Sequence, residues 1–294
     1  MQNILITGGS GFIGRKLSEV LLANGYNIAW LGRKKPQINN IKTFLWNTDA
    51  GTMEEGAIKW ADAIIHLSGE NISEKRWTKN RKKQIIGSRV KSASVLRKYL
   101  EASGKKMQAI IAASAIGYYG DRKNEILFEE SKPGTGFLSE SCVSWENATQ
   151  QLQNFAERFI TFRIGIVLDE TGGAMKELTK TFPFGIAPVL GSGKQTYSWI
   201  MLGDVCRMFM FALQNKTIQG VYNSVAPQPV SQKELMKQIL IKQKRKAILF
   251  PVPAFVLKIM LGKMAAAVLI DQHVSCKKIL DAGFQFENET IIKK

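Results

Sequence analysis

The sequence is poor in the residues that build metal centres, disulfide frameworks and hydrolytic triads. Its three cysteines, Cys142, Cys206 and Cys276, lie far apart with no metal-ligand spacing. That scatter excludes a disulfide scaffold and fits a reducing, cytoplasmic compartment. There are only two histidines. His66 closes an apolar run, where a structural role suits it, and His273 lies in the distal part of the chain. Neither provides the base of a Ser–His or Cys–His nucleophile, and no metal is expected. Apolar runs stop short of the ~18 residues needed to span a bilayer. Residues 1–14 read directly as strand and loop, not as a cleaved signal.

Acid is also scarce. The chain has 24 Asp+Glu against 41 Lys+Arg, a formal net charge of +17. Such a balance suits nucleic acid, acidic lipid or small anions. The cations concentrate in residues 74–91 and 233–263, where Glu74 and Glu234 are the lone acids. No nucleic-acid-binding signature accompanies them, so both segments read as solvated lysine-rich faces and nucleic acid is not an expected partner. The apolar stretch after Phe250-Pro251-Val252-Pro253, with Phe255, Leu257, Ile259, Met260, Leu261 and Met264, reads as core packing. A membrane-surface helix is the less favoured alternative.

Against these absences stands one dense motif at the start: Ile4-Leu5-Ile6-Thr7-Gly8-Gly9-Ser10-Gly11-Phe12-Ile13-Gly14. Gly8, Gly11 and Gly14 are three apart, and Gly9-x-Gly11-x-x-Gly14 fits the dinucleotide fingerprint. One glycine makes the tight turn, one admits the pyrophosphate to the backbone, and one lets the helix pack on the strand. The helix then presents free N–H groups and its positive end to the phosphates. An apolar strand precedes the loop and an amphipathic helix through Leu17, Val20, Leu21 and Leu22 follows it, the context the motif requires. That helix ends near Asn24-Gly25, and a strand over Asn27–Leu31 leads to Gly32-Arg33-Lys34-Lys35. An NAD site places an acid here for the ribose 2′-OH. Arg33 and Lys34 suit the 2′-phosphate of NADP instead.

Strand-like and helical runs alternate through residue 170. Strands are expected at 43–46, 63–67, 109–113 and 159–162, with helices over 82–100 and 139–155. This order predicts an α/β fold with a doubly wound parallel sheet, of the Rossmann-like kind, binding ligands beyond the carboxyl strand ends. Those ends carry Leu67-Ser68-Gly69-Glu70-Asn71, Ser114 to Gly120, and Arg163-Ile164-Gly165. Residues 1–170, with about 203–225, are assigned to the NADP-binding domain. Residues 171–202 and 226–294 are assigned to a smaller substrate lobe.

Taken in order, the TGxxGxxG start, His66-Leu67-Ser68-Gly69, Ser114…Tyr119-Gly120 and Arg163-Ile164-Gly165-Ile166-Val167-Leu168 resemble the extended short-chain dehydrogenases/reductases. Within that family, Gly69-Glu70-Asn71-Ile72, Arg76-Trp77, Ser88-Arg89, Cys142-x-x-Trp145-Glu146, Ser198-Trp199-Ile200 and Ala282-Gly283-Phe284 resemble the atypical "epimerase family" proteins. These end in a short domain of unknown function, and some are labelled cell-division inhibitors. The resemblance spans essentially the whole chain and implies an NADP-linked oxidoreductase or epimerase.

The resemblance also exposes a departure. The wider family uses a Tyr-x-x-x-Lys pair one helical turn apart, in which lysine lowers the tyrosine pKa. By the resemblance, Cys142 stands in place of the tyrosine and Glu146 in place of the lysine. The literal Tyr119…Lys123 pair runs through Gly120-Asp121, where the two side chains need not share a helix face. Any proton relay is therefore rebuilt, with Ser114, Tyr118, Tyr119 and Glu146 as the candidates and Glu70, Asn71 and Arg163 as substrate contacts. Tyr118 and Tyr119 equally suit packing, Glu70 an exposed loop acid, and Glu146 a helix-surface acid or ribose ligand. Three functions stay open: an NADP-dependent oxidoreductase or epimerase on a small carbonyl or sugar-like substrate, a non-catalytic NADP(H)-binding regulator or redox sensor, and a peripheral binder of anionic surfaces.

Overall fold

The computed structural model describes residues 2–34, 41–123 and 125–292, so Lys35 lies outside the described residues. The chain begins β1 (Asn3–Thr7), α1 (Phe12–Ala23), β2 (Asn27–Gly32), β3 (Lys42–Asn47), β4 (Thr52–Met53), α2 (Ala57–Trp60), β5 (Ala63–His66), α3 (Lys79–Ser103) and β6 (Ala109–Ala115). It continues β7 (Ile126–Leu127), α4 (Phe137–Gln150), β8 (Phe159–Ile164), β9 (Ile166–Asp169), α5 (Gly173–Leu178), β10 (Ile186–Leu190), β11 (Thr196–Tyr197), β12 (Trp199–Met201), α6 (Leu202–Gln214) and β13 (Gly220–Ser224). It closes with β14 (Val230–Ser231), α7 (Gln232–Lys242), β15 (Ile248–Val252), α8 (Ala254–Leu261), α9 (Ala265–Leu269), β16 (His273–Val274) and α10 (Lys277–Asp281).

The central sheet runs β13-β8-β6-β5-β1-β2-β3-β4, parallel except for the terminal β3–β4 pair. Its inner strands are continuous apolar runs because helices cover both faces. Leu17 and Leu21 of α1 pack with Val205, Met208 and Phe209 of α6 in one apolar layer. Ile58 of α2 and Leu96 and Leu100 of α3 belong to the other. Between β1 and β5 the strand order reverses, and that is where a doubly wound sheet opens a ligand crevice. The expected α/β fold with a doubly wound parallel sheet is therefore the observed one.

Boundaries differ in instructive ways. α3 starts three residues before the expected Lys82 because the Thr78 hydroxyl accepts from the Arg81 N–H and caps the helix. It stops where Gly104 turns left-handed at φ +61. α4 stops at Gln150, and residues 153–155 form a separate 3₁₀ turn.

The remainder of the chain returns to the sheet's carboxyl edge in short pairs, β9 with β12, β10 with β15, β11 with β14 and β7 with β16. Two buried polar residues fasten these segments. Asp204, fully buried at the start of α6, accepts the backbone N–H groups of Glu287 and Asn288 and pairs with Arg207. Gln272 donates to the carbonyls of Ile116 and Gly120, and the Ser198 hydroxyl donates to the Gln272 carbonyl. The distal part of the chain is thereby tied to the segment that follows β6 and the strand end at Ser114.

Candidate cofactor and substrate site

The Gly8–Gly14 turn sits at the reversal between β1 and β5. A Cβ on Gly8, which has φ +71, would lie 3.0 Å from the Leu67 carbonyl carbon. On Gly9 it would lie 2.2 Å from the Trp30 ring, and on Gly14 it would lie 2.4 Å from the Gly8 carbonyl oxygen. Trp30 is fixed by its own bond to the Ser18 hydroxyl. The backbone is thus drawn tight under the start of α1, whose N-cap, Gly11, carries no capping side chain. The first-turn N–H groups of α1 are left for a phosphate, and the cradle fits a pyrophosphate. Gly172 and Gly173 press on Phe12 from above, since a Cβ on either would lie 2.7 Å from its ring. The sequence gives no local sign of that second contact.

The facing strand end is set by a buried polar trio. The Thr7 hydroxyl accepts from the backbone N–H groups of Leu67 and Ser68, both at 3.2 Å. It lies 2.8 Å from Nδ1 of His66, whose Nε2 is 3.4 Å from the Ser92 hydroxyl. With its two N–H bonds accepted, Thr7 donates to Nδ1, and His66 is neutral. Burial lowers its pKa from 6.5 to about 4. The unfolded chain therefore binds the extra proton between those values, and stability falls as pH drops from 6.5 toward 4. The loss is on the order of 3 kcal/mol at the acid end. Urea unfolding at neutral and mildly acid pH should show His66→Gln losing less stability on acidification than the wild type. Equal losses would remove His66 from this role.

Beyond β2 and β3 lies a groove of about 730 Å³ lined by Arg33, Asn47, Glu70, Arg81, Lys83 and Ser88, among others. The Arg33 side chain is 81% exposed, with Nη1 3.9 Å from Glu70. Lys34 is exposed beside it. Arg81 donates to the Glu70 carboxylate at 2.9 Å and to the Asn71 carbonyl at 2.8 Å. Arg89 donates to the Glu70 carbonyl and stacks on Trp145 at 4.6 Å. A Cβ on Gly69 would lie 2.9 Å from the Arg89 guanidinium carbon. This corrects the reading of residues 74–91 as a solvated face. Lys75, Lys79, Lys83 and Lys91 are exposed and Lys82 is half-buried over Phe137, but Arg81 and Arg89 are each 8% exposed and build the floor under Gly69-Glu70-Asn71.

Ser114, Arg163 and Asn223 are lateral neighbours on β6, β8 and β13. The Ser114 hydroxyl donates to Glu146 at 2.6 Å, and Arg163 grips the same carboxylate through Nε and Nη2, both at 2.8 Å. Arg163 Nη1 also donates to the Tyr119 hydroxyl and the Glu129 carbonyl. Tyr119 donates on to Asn223, whose own N–H reaches the Glu129 carboxylate. Burial disfavours the Arg163 charge, but the bonds and charge of Glu146 outweigh it and raise its pKa. Tyr119 is fully buried, and its pKa is pushed up to about 12. The Cys142 thiol is likewise raised to about 12, first by burial and then by Glu146. It stays a thiol. Tyr118 is half-buried with Arg163 3.5 Å above its ring. Lys123 sits at φ +53 on a turn and forms no unit with Tyr119.

The candidates thus fall into two sets. Ser114, Tyr118, Tyr119, Glu146 and Arg163 meet in one network. Glu70 belongs to the groove with Arg33, and Asn71 is exposed, its carboxamide oxygen accepting from Ser73. Glu129 and Asn223, which complete the network, carried no local signal, because a turn residue and a strand 94 positions away meet only in the folded chain. Among the described residues no metal-ligand cluster occurs, and no helix is long and apolar enough to cross a membrane.

A parallel sheet with a glycine turn at its switch point defines a Rossmann-like α/β fold. Residues 4–143 match the NAD dependent epimerase/dehydratase family, and residues 252–293 match a domain of unknown function, DUF1731. An epimerase family protein of Mycobacterium leprae is 33% identical over 289 residues, covering 98% of this chain and 92% of its own length. The chloroplastic SDR39U1 homolog of Arabidopsis thaliana is 34% identical over 292 residues, covering 97% of this chain and 83% of its own. The crystal structure of human epimerase family protein SDR39U1 with NADPH superposes at TM-score 0.89 with 27% identity, covering 99% of this chain and 96% of that one. The chain belongs to the epimerase family.

Proposed function

We propose that this protein binds NADP(H) and works as an oxidoreductase or epimerase on a small carbonyl or sugar-like substrate. The observation that carries the cofactor choice is Arg33, 81% exposed at the end of β2 over a groove continuous with Glu70 and Arg81. Gly8, Gly9, Ser10, Gly11, Phe12, Ile13 and Gly14 would hold the pyrophosphate. Arg33 and Lys34 would hold the 2′-phosphate, and Leu67, Ser68, Gly69 and Ser114 would flank the nicotinamide half. The NADPH in the human SDR39U1 structure supports this reading.

When bound, the nicotinamide supplies or accepts the hydride. The chain's part is one proton. Ser114 already donates to Glu146, so its oxygen is free to accept from a substrate hydroxyl. As that proton moves to Ser114, the serine proton passes to Glu146, and Arg163 holds the carboxylate in line. Carbonyl reduction runs the same path backwards. Tyr118, the more exposed tyrosine, flanks the substrate oxygen, while Tyr119 and Cys142 serve as struts. A second reading, NADP(H) binding without turnover, is favoured by the 2% exposure of Ser114 and the mutual saturation of its network.

Arg33→Asp tests the cofactor half. Loss of a charge-assisted pair is worth roughly 1.5–3 kcal/mol, or about 10–100-fold in NADPH affinity, while NADH binding should hold or improve. Equal NADPH affinity in the variant would reduce Arg33 to a surface charge. In a carbonyl-substrate screen followed by NADPH consumption, Ser114→Ala should abolish turnover and lower NADPH affinity far less than Arg33→Asp does. No turnover by the wild type would select the second reading.

A further inference from the structure

Among the described residues, several of the most exposed large apolar side chains lie on two adjoining segments. β10 and β15 form a two-stranded ribbon in which Ile186 lies beside Ile248. The Ile248 N–H donates to the Gly185 carbonyl, which brings the preceding Phe184 to the same end. Alternation along β15 places Phe250 on the outer side with Ile248. Phe184 is 80% exposed, Ile248 77% and Phe250 55%. The chain then passes directly into α8, where Phe255 and Ile259, one turn apart, are 65% and 73% exposed. Leu257 alone in that helix is buried, so α8 is held by one side and offers the other to whatever lies outside. This outward face overturns the expectation of core packing for Phe255, Ile259 and Met260, while Leu257 and Leu261 do pack inward.

The charge around these residues selects the occupant. Between residues 240 and 263 the charged residues are Lys242, Lys244, Arg245, Lys246, Lys258 and Lys263, with no Asp or Glu. Lys244, Arg245, Lys246 and Lys258 are exposed. Apolar side chains flanked by cations on a short, non-spanning helix and a ribbon tip match a bilayer interface. There the apolar groups enter the acyl boundary and the cations meet anionic headgroups. A second copy of this chain would bring the same cations and no Asp or Glu of residues 240–263 to this face, which opposes self-association there.

We propose that the β10–β15 ribbon and α8 form a peripheral docking surface for anionic phospholipid bilayers. Both contributions are needed, because one anchoring element of modest size gives only marginal binding. The proposal is independent of the catalytic reading. Arg76, in the loop that leads from Gly69 to α3, donates to the Met260 carbonyl of α8, so the docking surface abuts the nucleotide site.

Flotation of the full chain with vesicles of an equal mixture of phosphatidylcholine and phosphatidylglycerol tests this. The expected result is binding to the mixed vesicles, little to pure phosphatidylcholine, and release by high salt. The double variants Phe250→Ser/Phe255→Ser and Lys244→Glu/Lys246→Glu should each lose at least tenfold in partitioning. All four side chains are exposed, and unchanged urea unfolding checks that both variants fold. Failure of the wild type to float with the mixed vesicles would overturn the proposal, whatever the variants do. So would equal flotation of the serine variant, which would leave only general attraction of a basic protein. A wild-type dimer in light scattering that the serine variant dissolves would assign the face to a second copy instead.

Discussion

Gly14→Ala is expected to abolish measurable NADPH binding and to destabilise the fold. Inside a helix, glycine to alanine ordinarily gains up to about 1 kcal/mol. Here the new Cβ would lie 2.4 Å from the Gly8 carbonyl oxygen and 2.7 Å from the Gly9 Cα, and those are backbone atoms with no rotamer to give. Overpacking of this kind costs about 1–3 kcal/mol, which outweighs the propensity gain. Relief requires the Gly8–Gly11 turn to move off α1, and that turn is the one proposed to hold the phosphates. A drop of about 100-fold or more in NADPH affinity with a lower urea midpoint is the expected pair of results. Gly203→Ala, in the first turn of α6 with no atom within 4 Å of the added Cβ, is the control and should be neutral or stabilising. Normal NADPH binding by Gly14→Ala would mean that the cradle does not hold the cofactor.

The second large effect is expected at Glu146. Arg163 is 4% exposed, and two of its three guanidinium nitrogens are spent on this carboxylate. Glu146→Ala leaves a buried cation that cannot neutralise itself, because arginine keeps its proton throughout the accessible pH range. Breaking a buried pair from one side costs about 3–5 kcal/mol. The converse change, Arg163→Met, should cost less. Glu146 is 14% exposed and keeps the Ser114 hydroxyl as a donor, and Tyr119 and the Glu129 carbonyl each lose one bond. Chemical denaturation of both variants checks the order. If Glu146→Ala costs under about 1 kcal/mol, the pair is as weak as a surface salt bridge and does not organise the site.

These two sites show where sequence reasoning reaches and where it stops. The strand–turn–helix of residues 3–23 was legible because its requirements are local: three glycines, a preceding apolar strand and a following amphipathic helix. The place of Arg33 at the end of β2 was legible for the same reason. The Ser114–Arg163–Asn223 row was legible only in pieces. Ser114 and Arg163 drew notice as strand-end residues, but their adjacency follows from β6 pairing with β8. Asn223 joins through β13, sixty residues beyond Arg163, and no periodicity announces a register over that distance. Arg81 and Arg89 were hidden among lysines. Their burial depends on which face of α3 meets the Gly69–Asn71 loop, and a helix with charge on every side does not reveal that face. The segment around α8 misled in the opposite sense, because an apolar composition reads as core until the fold shows one side uncovered.

The central claim is that the glycine cradle and the Arg33 groove together form an NADP(H) site. Calorimetric titration of NADPH and of NADH into cofactor-free protein at moderate salt tests it most directly. Saturable NADPH binding at least about tenfold tighter than NADH is expected, the worth of one charge-assisted contact to the 2′-phosphate. Equal affinities would contradict the role of Arg33. No binding of either would contradict the site itself.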